Sequence, residues 1–331
     1  AESDVTVDGL ATADGLTSLS INASGLNAAV DVGIIGNVDD AEVAILDTIS
    51  VTASNGGDAN FQGNAVATKG DINTAEDLTS ITISATGAGS TVTAGQIWAD
   101  GLDAGAVSIS ASAGGVVDME TDTEADDIIN YGFSSLSLSA TGTDSAINAS
   151  DLAQDAGSLA AATEADITIE ADDGASITLG TAAFGAVDID TLHIGVGEDA
   201  VLNDTETSIT ASGDITNLDI DIDADGDNGL LTDINTGKIL GTLSLNLGDE
   251  GAFDTGAFMI ELTDDVDAEV GIKTLNLDIA DQDGVATTVD LEAANAVTIQ
   301  IGAETDVLLS VLDVGESTGT YYQGSIILAG D

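Results

Sequence analysis

The sequence predicts an all-β chain wound as a parallel, right-handed β-helix or β-solenoid of about eleven irregular coils. Three observations carry this. A short alternating strand motif returns along the whole length, proline is absent from all 331 residues, and aromatic residues make up only 3%. Proline cannot donate to a β-ladder, so a chain that is nearly all ladder has a reason to exclude it. Short aliphatic stretches with few rings suit a thin, layered core better than a globular one.

The motif alternates apolar and small polar residues. It begins as TSLSINASG from Thr17, DTISVTASNG from Asp47, TSITISATG from Thr79 and GAVSISASAGG from Gly105. It continues as SSLSLSATG from Ser134, ADITIEADDG from Ala165 and DTLHIGVGED from Asp190. TNLDIDIDADG from Thr216, GTLSLNLGDEG from Gly241, KTLNLDIADQDG from Lys273 and NAVTIQIG from Asn295 complete the series. The first apolar residue of each gives Leu19, Ile49, Ile81, Val107, Leu136, Ile167, Leu192, Leu218, Leu243, Leu275 and Val297. Intervals run from 22 residues (Leu275 to Val297) to 32 (Ile49 to Ile81). Such inexact repetition marks a solenoid, whose coils rise by roughly 4.8 Å each, for a rod about 50 Å long. A β-sandwich, the competing all-β arrangement, does not need one motif to return so often.

Second alternating strands fall between the motifs, at Ala29–Val32, Ser90–Thr93, Ser176–Leu179 and Thr288–Leu291. Each is bounded by Gly, Asp or Asn, the residues that turn a corner. Strand alternation sends Leu19 and Ile21 inward and Ser18, Ser20 and Asn22 outward. One helical pattern stands apart, Leu152 to Thr163, with Leu152, Ala156, Leu159 and Ala160 at helical spacing. It reads as an insertion on the solenoid's side. The chain is expected to be one elongated domain over 1–331, with cap or assembly strands at 1–15 and 310–331. Within these ends, Ser3–Val7 and Tyr321–Leu328 are strand-like, and an apolar terminal strand is suited to pairing with a neighbour.

Charge narrows the function classes. The formal net charge is −57, with 60 acidic residues against Lys69, Lys238 and Lys273 and no arginine. Nucleic acid and anionic membrane surfaces repel such a chain, and no stretch is long and apolar enough for a membrane-spanning helix. Without cysteine, disulfides and thiolate metal sites are excluded. The opening Ala1-Glu2-Ser3 looks like an end left by signal-peptide removal, which fits export to the cell surface or beyond. Asp outnumbers Glu by 45 to 15, and short carboxylates in turns favour calcium as well as turns themselves. Asp221, Asp223, Asp225 and Gly226 match the D-x-D-x-D-G opening of a calcium loop, and Asp227 follows. Thr232 stands where a bidentate Glu would close it. Further candidate metal clusters are Asp39, Asp40 and Glu42; Asp264, Asp265 and Asp267; and Asp281 with Asp283. Each is equally a solvated acidic turn.

Outward positions of the early motifs (Ser18, Ser20, Ser50, Thr52, Ser80, Thr82, Ser108, Ser110, Ser135, Ser137) are small and uncharged. They would present a lateral surface on which neighbouring rods meet without repulsion, or they are merely tolerated on exposed strands. From Asp166 onward the equivalent positions turn acidic, with Glu170, Asp219, Asp221 and Asp278. Catalysis has little to stand on. The single histidine, His193, sits outward between Leu192 and Ile194 with no nucleophile motif beside it.

In style, motifs such as SLSINASG, ITISATGAG, SLSLSATG and TLSLNLG resemble proteobacterial surface-layer proteins and related secreted, calcium-dependent β-helix repeat proteins. The resemblance covers nearly the whole chain. It implies a β-helix that assembles with calcium into a lattice at the cell surface. The G-G-x-G-x-D nonapeptide of many such proteins is missing; Gly56-Gly57-Asp58 and Gly114-Gly115 are fragments of it. No calcium position is therefore carried over. The sequence leads us to expect a non-enzymatic structural subunit, self-assembling into a layer or filament, with cell-surface polysaccharide as a further partner. An adhesin is the alternative from another class, and an ice-binding face is disfavoured by irregular Ser-for-Thr usage.

Overall fold

Parallel strands stacked in register form the protein. The computed structural model describes residues 3–10, 18–36, 48–61, 72–74, 79–94, 97–99, 105–119, 128–130, 133–154, 165–184, 188–202, 207–211, 215–222, 231–236, 239–247, 259–262, 274–279, 287–291, 297–301, 307–312 and 326–329. All regular elements among them are β-strands, and all their pairings are parallel.

Along the chain, one strand in one sheet is followed by one or two strands on the opposite side before the chain returns. One sheet has 12 strands, from Ser18–Ser24, Thr48–Ser54 and Ser80–Thr86 to Ile326–Ala329. The other has 14 strands and includes Ser3–Leu10, Ala28–Gly36, Asp58–Phe61 and Thr91–Ala94. A pair of strands, Thr287–Leu291 with Val307–Leu312, forms a small third sheet. A chain that visits two sheets in turn, always pairing in parallel with its previous visit, is a β-solenoid.

Period-two alternation sets the register, because a slip of one residue would turn every aliphatic side chain outward. In the 12-stranded sheet Leu19 pairs with Ile49, then Ile81, Val107, Leu136 and Ile167. The column continues through Leu192, Leu218, Leu243, Leu275 and Val297 to Ile326. All the motif anchors thus stand in one line. Two residues along, Ile21 leads a second column through Val51, Ile83, Ile109, Leu138, Ile169, Ile194 and Ile220. Ile49, Ile83, Ile109 and Leu138 are no more than 1% exposed. A third column is alanine at Ala23, Ala53, Ala85, Ala111, Ala140 and Ala171, and then changes to Val196 and Ile222. The core therefore carries more side-chain volume at that edge beyond Ala171.

Corners join the alanine column to the facing column of the other sheet. Val30 stands seven positions after Ala23, as Val92 does after Ala85 and Ile147 after Ala140, whereas Ala59 stands six after Ala53, as Val117 does after Ala111 and Ile177 after Ala171. Long and short corners alternate as far as Ala171, and the corner from Val196 to Leu202 is a second short one in succession. Left-handed residues make both. Long corners place Gly25 and Asn27, Gly87 and Gly89, or Gly142 and Asp144 at positive φ. Short ones use adjacent pairs, Asn55-Gly56, Ala113-Gly114 and Asp173-Gly174. Gly and Asn or Asp tolerate this region; the alanine at 113 does so at a cost.

One expectation is corrected. Leu152, placed by its spacing at the head of a helix, lies in the strand Ala146–Gln154, paired with Ile128 on one side and Ala182 on the other. Ladder bonds to two neighbouring strands override a weak helical spacing in an Ala-rich run. The remainder of that segment, from 155 to 163, lies outside the described residues.

Candidate functional site

The 12-stranded sheet turns a flat outer face to solvent, and its residues stack in columns as regularly as those of the core. Ser20, Ser50, Thr82, Ser108 and Ser137 form one column. Asn22, Thr52, Ser84, Ser110 and Ser139 form the next. The flanking columns hold Ser18, Thr48, Ser80, Ala106 and Ser135 on one side and Ser24, Ser54, Thr86, Ser112 and Thr141 on the other. No charged residue stands on this face across its first five strands. These side chains are exposed or half-exposed. Neighbours on the face can bond to each other, as Ser112 Oγ does by donating to Thr86 Oγ1 at 3.3 Å.

The sixth strand ends the neutrality. Asp166, Glu170 and Asp172 occupy three of the four columns there, opposite Ser135, Ser139 and Thr141. Thr168 remains polar and leads to His193 and then Asp219 in the same column. His193 Nδ1 lies 3.0 Å from Asp219 Oδ2, with the two side chains 29% and 48% exposed. The pair sits on an open sheet face. Gly195 beside it leaves room: a Cβ there would come within 3.2 Å of His193 Nε2 and 3.4 Å of Glu170 Cγ.

Of the residues read from sequence as metal ligands, Asp221 is described. It is half-buried in the column of Glu170 and Gly195, and its Oδ1 accepts a hydrogen bond from Asn246 Nδ2 on the following strand at 2.8 Å. Asp39, Asp40, Glu42, Asp223, Asp225, Asp227, Asp264, Asp265, Asp267, Asp281 and Asp283 lie outside the described residues. Among the described residues no three His, Asp or Glu side chains converge in a way that could hold a metal ion. No described helix is long and apolar enough to cross a membrane.

Sequence reasoning missed two inward-facing serines. Ser90 and Ser145 are 0% and 1% exposed. Ser145 Oγ donates to Thr141 O at 2.8 Å and accepts from Gly114 N at 2.9 Å. Ser90 Oγ likewise donates to Thr86 O at 2.8 Å and accepts from Gly56 N at 3.0 Å. Each serine sits in a long corner and takes the amide of the short corner before it. Where two short corners follow each other, Gly174 N instead reaches Glu198 O directly at 3.1 Å, and the serine's place is taken by Ala200. The extra residue of a long corner moves its carbonyl out of reach, and the hydroxyl replaces that acceptor. A signal was present in the sequence, since Ser90 and Ser145 both close a Thr-Gly-x-Gly/Asp-Ser corner.

Compared with protein-family models, curated proteins and solved structures, the chain gives no match in any of the three.

Proposed function

We propose that this chain is a secreted structural subunit that polymerises into a cell-surface layer or filament. In this reading it winds about eleven right-handed coils as one elongated domain, and calcium screens its carboxylates at the turns and contacts. The observation that carries the reading is the uncharged face of the first five strands within a chain of net charge −57. Two such chains repel at almost any approach, and a neutral face is where they can meet at least cost. The acidic continuation beyond Asp166 needs cations before it can pack. Calcium binds through the Asp-rich turns, with Asp221, Asp223, Asp225 and Asp227 as the first set. The chain is not an enzyme, and surface polysaccharide is a further partner.

The test is negative-stain microscopy and light scattering of the purified chain in millimolar calcium and in chelator. Sheets or fibres that appear with calcium and dissolve with chelator support the proposal; a monomer in both conditions overturns it. Calorimetric titration of a variant carrying Asp223→Asn and Asp225→Asn should show weaker calcium binding than the unaltered chain.

A further inference from the structure

One short corner carries a dipeptide that is chemically unstable in an open chain. Among the described residues, Asn55 is the one asparagine followed by glycine. Asparagine is thermolabile, and a following residue without a Cβ leaves its own nitrogen free to reach the asparagine side chain. That nitrogen, Gly56 N, gives its proton to hydroxide and attacks Asn55 Cγ. The bond from Cγ to the side-chain nitrogen breaks, ammonia leaves with a proton taken from water, and a five-membered succinimide closes. Water then opens the ring at either carbonyl. One product is aspartate; the other is isoaspartate, whose backbone runs through the former side chain.

The fold withholds what this reaction needs, except water. Asn55 is exposed, whereas Gly56 is buried. Gly56 N donates to Ser90 Oγ on the following coil at 3.0 Å, and Gly56 O accepts from Asn27 N on the preceding coil at 3.2 Å. Asn55 N donates to Thr86 O at 3.2 Å. The peptide group that would have to turn toward Cγ is thus pinned from both sides. Its proton is committed to a hydroxyl that is itself a donor to Thr86 O at 2.8 Å.

We propose that Asn55-Gly56 is a latent deamidation site, which Ser90 keeps unreacted while the coils are closed and which reacts once the corner opens. The product does not return to the same fold. Isoaspartate lengthens the backbone by one atom, and the corner has no slack: a Cβ on Gly57 would lie 2.5 Å from Ala23 O. Each opening of the corner therefore carries a fixed chance of an irreversible mark. The modification retires chains that unwind and spares those that stay wound. This holds whether or not the chain assembles.

Ageing the purified full chain in warm, mildly alkaline buffer tests the site. Peptide mass mapping reads the exchange of NH2 for OH at Asn55, and isoaspartyl methyltransferase labelling reads the isomer. Asn228-Gly229, the other such pair in the sequence, is mapped on a separate peptide. The same chain in denaturant gives the unprotected rate, and the native chain should react far more slowly. Ser90→Ala should speed native deamidation at Asn55 about tenfold. Ser145→Ala opens the matching clamp on Gly114, where the preceding residue is Ala113, and should leave the Asn55 rate unchanged. Ala113→Asn transplants the site: its new Asn-Gly pair should stay protected, and adding Ser145→Ala should release it by a similar factor. Circular dichroism checks that each variant keeps its β signal. Native deamidation at the denatured rate overturns the proposal. So does a folded Ser90→Ala variant that reacts no faster, or equal acceleration at Asn55 by Ser145→Ala. Where Ser90→Ala does not fold, the transplanted pair decides: no release on adding Ser145→Ala overturns the proposal.

Discussion

Ser90 and Ser145 show how one hydroxyl holds two coils together. A buried amide without an acceptor costs about 1–3 kcal/mol, and each serine removes that cost for Gly56 or Gly114 while its own proton goes to Thr86 or Thr141. Ser145→Ala should therefore lower stability by about 1–3 kcal/mol in chemical denaturation, whereas Ser110→Ala on the outer face should stay within about 0.5 kcal/mol. Ala113 offers the opposite case. It holds φ 52° where the equivalent corners have Asn55 and Asp173. Ala113→Asn should raise stability by about 1 kcal/mol, read as a higher denaturation midpoint. The buried serines were hard to single out in advance because serine also fills the exposed columns, and composition alone does not separate an inward from an outward hydroxyl. His193 was legible as outward. Its bond to Asp219 was not, since it depends on which residue of the next coil falls in register.

At the scale of the strand, the columns set the energetics. Leu138 is fully buried between Ile109 and Ile169, so Leu138→Ala should cost about 2–5 kcal/mol. Leu19→Ala removes a side chain that is already half-exposed and should cost clearly less by the same measurement. Ala85 stands between Ala53 and Ala111 in the narrow column, where Ala85→Leu should destabilise by about 1–3 kcal/mol through overpacking. Two-residue alternation made these columns readable from the sequence, down to every anchor from Leu19 to Val297. The second strands were read nearly as well. The segment after Leu152 was not, because small alanines carry little pattern of either period, and pairing with neighbouring strands decides between helix and ladder. The corner lengths were equally hidden; only the facing sheet reveals that seven and six residues alternate.

Charge governs the molecule as a whole. Sixty carboxylates against three lysines make the folded chain repel itself. Raising ionic strength toward about 0.15 M, where screening reaches roughly 8 Å, should raise the thermal midpoint of the monomer. Placing charge on the neutral face tests its role separately: Ser50→Asp with Ser137→Asp, three strands apart in one column and so largely screened from each other, should abolish the proposed calcium-dependent assembly, read by light scattering, while leaving the monomer's midpoint nearly unchanged. The sequence displayed this face as a run of Ser and Thr, and register adds that its neutrality spans five adjacent strands before Asp166.

The corner lengths also limit how such a solenoid can lengthen or shorten. Excising a short coil between Ala53 and Ala140 would bring two long corners together and leave a serine hydroxyl without its amide, whereas excising a long one leaves two short corners, which bond directly as Gly174 N and Glu198 O do. Removing or duplicating two consecutive coils keeps every clamp intact. A short coil can therefore be added singly and a long one lost singly, whereas a long coil can be added only with a short one before it.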